Sequence, residues 1–230
     1  MRIAIIADIH GNLEALEAVL KDISNKNVDD IVCLGDLVGY AANPNEVVDL
    51  IKKKGIRCIK GNHDLNAVTL EKLDWFNERA QEALKFTNKV LTEENKKFLM
   101  DLPETLELKD KNKLFAVHGS PKDPLYEYLD PTVDEDLIKD MLDEQKADVL
   151  VCAHTHLPDL KRFELKVFLN PGSVGQPRNN NSKSQYAILD LGNINFVSFE
   201  TVEYDIDTAA KKIIQAGLPR FLADRLYVGR

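Results

Sequence analysis

The sequence predicts an α/β fold, and three observations carry the prediction. Short apolar runs recur along the 230 residues, at lengths that suit buried strands. The stretches between the first three runs have helical periodicity and helix-capping residues. Each run then stops abruptly in a cluster of aspartate, asparagine, glycine or histidine, and all five histidines of the chain fall in such clusters.

Taken in order, Arg2 to Ala7 reads as a buried strand that turns at Asp8, His10 and Gly11. Asn12 can cap a helix whose apolar face is Leu13, Leu16, Leu20 and Ile23. Ile31 to Leu34 is the second strand, ending in Gly35-Asp36. After Tyr40 comes a helix start signal, with Asn43 as cap, Pro44 at the first helical position and Glu46 reaching back. Val47, Val48 and Ile51 give that helix its apolar face, and Gly55 stops it. The strand Ile56 to Ile59 follows and is expected to end in a loop, Gly61-Asn62-His63-Asp64. This β-α-β-α-β order is the pattern of a parallel sheet with right-handed crossovers.

Residues 65 to about 103 read as a helical insertion in a single domain spanning 1–230. Phe76, Ala80, Ala83, Leu84, Thr87 and Leu91 trace one helical face, and Thr92 caps a second helix that Pro103 ends. This segment has no histidine, so no chemistry is expected of it, and Trp75 is expected to pack in a core or cap. Thr105 to Leu108 and Leu114 to Val117 suggest a hairpin whose second strand ends in His118-Gly119. Thr132 and Glu135 suggest a capping box for a helix carrying Leu137, Ile138, Met141 and Leu142. Val149 to Cys152 is another buried strand, ending in Ala153-His154-Thr155-His156. Two short strands, a long polar loop over 170–184, a hairpin around Gly192-Asn193 and two helices complete the chain.

The net charge of -8 argues against a broad nucleic-acid surface, though cations bound in a small site can still receive a phosphate. Cys33, Cys58 and Cys152 each lie in an apolar run, form no CxxC pair and are odd in number, which fits a reducing, cytoplasmic compartment. No apolar run is long enough to span a membrane, and Ile3 to Ala7 is too short for a signal peptide.

In open α/β sheets, ligands bind beyond the carboxyl ends of the strands, so the clusters at Asp8, Asp36, Asn62, His118 and His154 can converge on one crevice. Carboxylates, imidazoles and one amide suit manganese, iron, nickel, cobalt or zinc better than magnesium or calcium. No thiolate is present among them, which disfavours a closed structural zinc site. There are more donors than one ion with an open position needs; two ions about 3.5–4 Å apart, bridged by a carboxylate, would use them.

Asp8-x-His10, Gly35-Asp36, Gly61-Asn62-His63-Asp64, His118 and His154-x-His156 resemble, in type and order, the five blocks of the calcineurin-like metallophosphoesterase superfamily. Within it the chain resembles small prokaryotic phosphoesterases related to diadenosine tetraphosphatase and the protein phosphatases. The resemblance implies a four-layer α/β/β/α sandwich of two mixed sheets. It also implies that Asp8, His10 and His156 hold one metal, that Asn62, His118 and His154 hold a second, and that Asp36 bridges them. A bridging hydroxide would then attack the phosphorus of a small phosphomonoester or phosphodiester in line. His63 would stabilise the developing charge or protonate the leaving oxygen, oriented by Asp64. Two departures stand out: Ala153 replaces the usual glycine of the last block, and Ala41-Ala42 replace the usual turn after Tyr40. Arg178, and with it Tyr40, are candidate substrate contacts, since an arginine fork suits phosphate oxygens.

Two other readings compete. One is a catalytically silent metal-binding scaffold, as in the superfamily's retromer subunit, which lacks the acid histidine that His63 supplies here. The other is a nuclease, which the acidic balance disfavours for long polynucleotides. A homo-oligomer is compatible with all of these readings.

Overall fold

A computed structural model describes residues 1–230. The chain opens with β1 (Arg2–Ile6), α1 (Leu13–Ile23), β2 (Asp30–Cys33), α2 (Pro44–Lys54) and β3 (Arg57–Cys58). Three helices follow: α3 (Asn62–Thr69), α4 (Glu78–Val90) and α5 (Glu93–Asp101). Next come β4 (Thr105–Lys109), β5 (Lys113–Val117), α6 (Glu135–Glu144) and β6 (Val149–Val151). The chain ends with β7 (Pro158–Phe163), β8 (Lys166–Pro171), β9 (Ser184–Asp190), β10 (Val197–Val202), α7 (Ile206–Gln215) and α8 (Arg220–Asp224).

The strands form two five-stranded sheets, ordered β10-β9-β1-β2-β3 and β4-β5-β6-β8-β7. Both are mixed. In the first, β1, β2 and β3 run parallel, β9 pairs antiparallel with β1, and β10 pairs antiparallel with β9. In the second, β5, β6 and β8 run parallel while β4 and β7 are antiparallel.

The two-residue period of the strands separates the layers. Ile3 and Ile5 of β1 face the space between the sheets, where they meet Ala116 of β5, Val151 of β6 and Leu169 of β8. Ala4 and Ile6 point the other way, to Leu16 of α1, Val48 of α2 and Ala210 of α7. On the far side, Phe115, Leu150 and Phe168 pack on Ile138, Met141 and Leu142 of α6. This is the four-layer α/β/β/α arrangement. Each fully buried leucine or isoleucine contributes about 1.5–3 kcal/mol through the apolar area it removes from water. No helix is long and apolar enough to cross a membrane.

Several local expectations hold and others do not. Asn12 caps α1 by accepting the Ala15 amide, Thr92 caps α5 by accepting the Asn95 amide, and Gly55 closes α2 with φ 63°. Pro44 is the first residue of α2, but no side chain caps that helix. Asn43 instead uses its backbone amide on the Gly11 carbonyl. At α6 the cap is Asp134, not Thr132, because Asp134 is adjacent to the first helical residue and accepts the Asp136 amide. Thr132 bonds Asp130. The expected loop at Gly61 is the start of a helix: Gly61 is the N-cap of α3, and Asp64 accepts the Gly61 amide. The helical segment packs onto the first sheet's helical layer. Ala83 and Leu84 of α4 and Leu99 of α5 lie in the same core as α1 and α2.

Candidate metal centre

The donors stand at the carboxyl ends of β1, β2, β5 and β6 and at the amino end of α3. The strand-end turns are unusual. Asp8, His10, Asp36, Tyr40, His154 and His156 all have positive φ, between 52° and 68°. That left-handed conformation disfavours residues with a Cβ. Here it bends the chain at once after the strand and brings alternate side chains, Asp8 with His10 and His154 with His156, toward one centre. The turns also brace one another, with the Asp8 amide on the Gly35 carbonyl and the His10 amide on the Asp36 carbonyl.

Two close approaches require glycine. A Cβ on Gly61 would lie 2.0 Å from Asp36 Oδ1, and one on Gly39 would lie 2.5 Å from His63 Nδ1. Ala153, in place of the usual glycine, is accommodated: it is buried between the sheets, and its amide reaches the His118 carbonyl at 2.9 Å.

Tautomers can be assigned from the backbone. His10 Nδ1 is 3.1 Å from the Val38 carbonyl, His118 Nδ1 is 2.8 Å from the Leu34 carbonyl and His156 Nδ1 is 2.6 Å from the Gln176 carbonyl. A carbonyl only accepts, so each Nδ1 carries a proton, and each ring in its neutral form turns an Nε2 lone pair into the site. His10 Nε2 and His156 Nε2 are then 3.0 Å apart, lone pair against lone pair. Only a proton or a cation between them makes that stable. His118 Nε2 likewise faces His154 Nδ1 at 3.1 Å and Asn62 Oδ1 at 3.2 Å.

The carboxylates complete two groups. Asp8 Oδ1 is 3.6 Å from His156 Nε2 and 3.9 Å from His10 Nε2, and neither Asp8 oxygen has a hydrogen-bond partner. Asp36 uses Oδ1 to accept the His63 amide at 2.8 Å. Its Oδ2 has no such partner and stands between the groups, 3.6 Å from His10 Nε2 and 3.4 Å from His118 Nε2. Asp8, His10 and His156 therefore gather as one possible ion site, and Asp36, His118 and His154 as another. Buried acceptors left without donors are costly, and a divalent cation satisfies them together. The donor set fits the expected metals.

The electrostatics show how strongly these buried groups act on one another. Burial pushes the Asp8 carboxyl up to about 7. Burial opposes charge on His118, but the Asp36 carboxylate beside it prevails and raises the imidazole to about 9. Burial would also raise Asp36, yet the His118 and His63 rings hold it well below the usual carboxylate range. His10, His154 and His156 are driven well below the usual imidazole range, chiefly by burial.

His63 lies against this centre, its ring 4.7 Å from His10, 4.6 Å from Tyr40 and 4.9 Å from Phe76. Burial holds it near 4. The expected pairing with Asp64 does not occur. Asp64 turns both oxygens to backbone amides, those of Asp36 (2.8 Å), Leu37 (2.8 Å), Val38 (3.2 Å) and Gly61 (2.9 Å), and His63 Nδ1 has no partner. The cause is the helix start, which aims Asp64 back at the turn after β2. Asp64 is thus a positioning residue for Asp36.

A cavity of about 340 Å³ opens above the donors. Tyr40 and Arg178 line it, as expected, and so do Trp75, Tyr128 and Arg225. Trp75 corrects the expectation of core packing: it is 41% exposed at the cavity mouth. Arg225 and Tyr128 had no local sequence signal beyond residue type, since only tertiary folding brings them to the histidines.

Comparison with known proteins gives a consistent result. The model of the calcineurin-like phosphoesterase superfamily domain matches residues 1–193. The uncharacterized protein MJ0912 of Methanocaldococcus jannaschii is 42% identical, over 99% of this chain and 98% of its own. The phosphodiesterase YfcE of Escherichia coli is 28% identical, over 83% of this chain and 88% of its own. The crystal structure of a metallophosphoesterase from Sphaerobacter thermophilus superposes with a TM-score of 0.84 at 34% identity, covering 100% of this chain and 99% of that one. Two mixed sheets, a centre of converging carboxylates and imidazoles, and matches of this extent have one reading: the chain belongs to the calcineurin-like phosphoesterase superfamily.

Proposed function

We propose that this phosphoester hydrolase works with two divalent ions on a small phosphomonoester or phosphodiester. Asp8, His10 and His156 would hold one ion and Asn62, His118 and His154 the other, with Asp36 Oδ2 shared. The observation that carries the reading is the set of three imidazoles locked by backbone carbonyls, with their Nε2 lone pairs turned on one another and on partnerless carboxylates. The mixed nitrogen and oxygen set favours manganese, iron, nickel, cobalt or zinc. Bound there, such ions supply an acidified water as nucleophile and offset charge on the phosphoryl oxygens.

The chain's own groups do the rest. The carbonyls of Val38, Leu34 and Gln176 fix the imidazoles before any ligand arrives. Asp64 holds the turn that presents Asp36. His63, neutral in its buried setting, offers a ring N–H to a phosphoryl or leaving oxygen. Arg178 at the cavity edge offers its guanidinium to the substrate phosphate. The likeness to the phosphodiesterase YfcE supports a diester among the substrates. Three free, buried cysteines support a reducing compartment such as the cytoplasm.

Hydrolysis of mono-p-nitrophenyl and bis-p-nitrophenyl phosphate tests the reading. Metal-stripped protein is assayed with each of the five ions and magnesium added back, beside His63→Ala. The expected result is metal-dependent turnover that falls at least about 100-fold in the variant, as for loss of a group acting in proton transfer or charge stabilisation. No turnover with any ion, on either ester, would overturn it.

A further inference from the structure

The cavity has two unlike ends. Trp75 and Tyr128 stand beside the Asp36, His118 and His154 group. Tyr128 stacks on His154, with centroids 3.8 Å apart and planes 19° apart. Trp75 runs parallel to Tyr128, within 6° at 5.9 Å, and to His154, within 20° at 5.8 Å. Neighbours set edge-on hold the indole: Phe76 at 5.0 Å and Tyr126 at 5.1 Å. Tyr126 is itself fixed by a bond from Asn66 to its hydroxyl at 2.9 Å. Yet Trp75 is 41% exposed and Tyr128 48% exposed. These rings are oriented like a recognition surface and left open to water.

Arg178 and Arg225 stand at the other end, beside His10 and His156. The Arg178 amide reaches the His156 carbonyl. Its guanidinium donates to Gln176 Oε1 at 3.1 Å, and its Nε is buried without a partner. The Arg225 guanidinium lies 5.8 Å from the centre of the Tyr40 ring and donates to the Arg230 carbonyl. Neither guanidinium is paired with an aspartate or a glutamate, in a chain whose net charge is -8. Burial, and next the charge of Arg178, bring Arg225 down to about 10, so the two cations feel each other. An anion between them would relieve both.

We propose that the substrate carries a planar aromatic ring on one side of the scissile phosphorus and a second phosphate on the other, as nucleotides with two or more phosphates do. Trp75 and Tyr128 stack the ring, and Arg178 with Arg225 hold the distal phosphate. The assignment rests on the hydrolase reading above and names the substrate class of that site. In the reaction, water forms a new P–O bond, the P–O bond to the distal phosphate breaks, that phosphate leaves with the electron pair, and the water's surplus proton passes to solvent.

Trp75 is the only tryptophan, so its fluorescence reports on the site directly. The probes are the non-hydrolysable methylene analogue of adenosine diphosphate and the ring-free methylenediphosphonate, titrated into zinc-loaded protein. The nucleotide analogue is expected to quench Trp75 saturably and to bind more tightly than the ring-free probe, which leaves the emission unchanged. Tyr128→Ala is expected to weaken the nucleotide analogue about tenfold more than the ring-free probe, as loss of a stacking partner does. Arg225→Gln is expected to weaken both probes about tenfold, read by calorimetry, through loss of charge-assisted bonds. Equal affinity for the two probes, or equal effects of Tyr128→Ala on both, would overturn the proposal. Turnover of bis-p-nitrophenyl phosphate without ring-dependent quenching would overturn this substrate class alone. Ring-dependent quenching in a protein that turns over no ester would overturn the hydrolase reading and leave the ligand class standing.

Discussion

Asp64 sits beneath the centre, and the site depends on it. Its two oxygens accept four backbone amides, three of them from the turn that carries Asp36. Asp64→Ala is expected to cost at least about 3 kcal/mol in a urea melt, since several buried N–H groups lose their acceptor. Asp64→Asn keeps one oxygen and should cost less. A loss below about 1 kcal/mol for the alanine variant would mean that water replaces the carboxylate. Gly61 makes the complementary point. A methyl group there would collide with Asp36 Oδ1, so Gly61→Ala is expected to displace Asp36 and reduce bound metal per chain. Elemental analysis after gel filtration reads that loss, and full metal content in the variant would refute it.

At the scale of the element, the strand-end turns separate strain with a use from strain without one. Six left-handed residues surround the centre, and each costs on the order of 1 kcal/mol or more. Lys146, just beyond α6, has φ 50° as well, but it is exposed and precedes β6, whose opposite, carboxyl end leads to the donors. Lys146→Gly is expected to stabilise the protein by about 0.5–1 kcal/mol, seen as a small rise in melting temperature with activity unchanged. An unchanged or lower melting temperature would show that the lysine side chain contributes more than its backbone loses. The same turns explain what was legible in the sequence. Strand ends were visible because apolar runs stop there, so all seven expected metal donors gather where the runs predicted. The helical start at Asn62 was not visible, because glycine, asparagine and aspartate cap helices and form loops with equal ease. Trp75 was misjudged because a large apolar ring suggests a packing role, while its place at the cavity mouth depends on Tyr126 and Tyr128, some fifty residues later. Arg225 lies far along the chain from every histidine, and only the packing of the C-terminal helices brings it to Tyr40.

At the scale of the whole molecule, the centre joins the two sheets, since β1 and β2 supply Asp8 and Asp36 while β5 and β6 lead to His118 and His154. Ions held there would tie one sheet to the other. Stripping divalent ions is therefore expected to lower the melting temperature by several degrees, with recovery when ions return, because a ligand of the native state adds to its stability. Scanning calorimetry checks this, and identical transitions with and without chelator would count against it. Acid should act in the same direction: protons compete with metal for the imidazoles, so activity is lost as pH falls through the histidine range. Full activity with metal retained well below that range would contradict the expectation. The register of the first sheet also bears on how the chain is made. β1 is a central strand, and one of its two neighbours is β9, which begins at Ser184. At about 5–20 residues per second, a ribosome needs roughly 10–40 s between the two strands, during which one edge of β1 stays unpaired. Ser173 and Gly175, which bond the Asp8 carbonyl, and His156 also emerge late. The nascent chain thus carries an apolar, unpaired edge for much of its synthesis, and the group that includes His156 comes together only late in it.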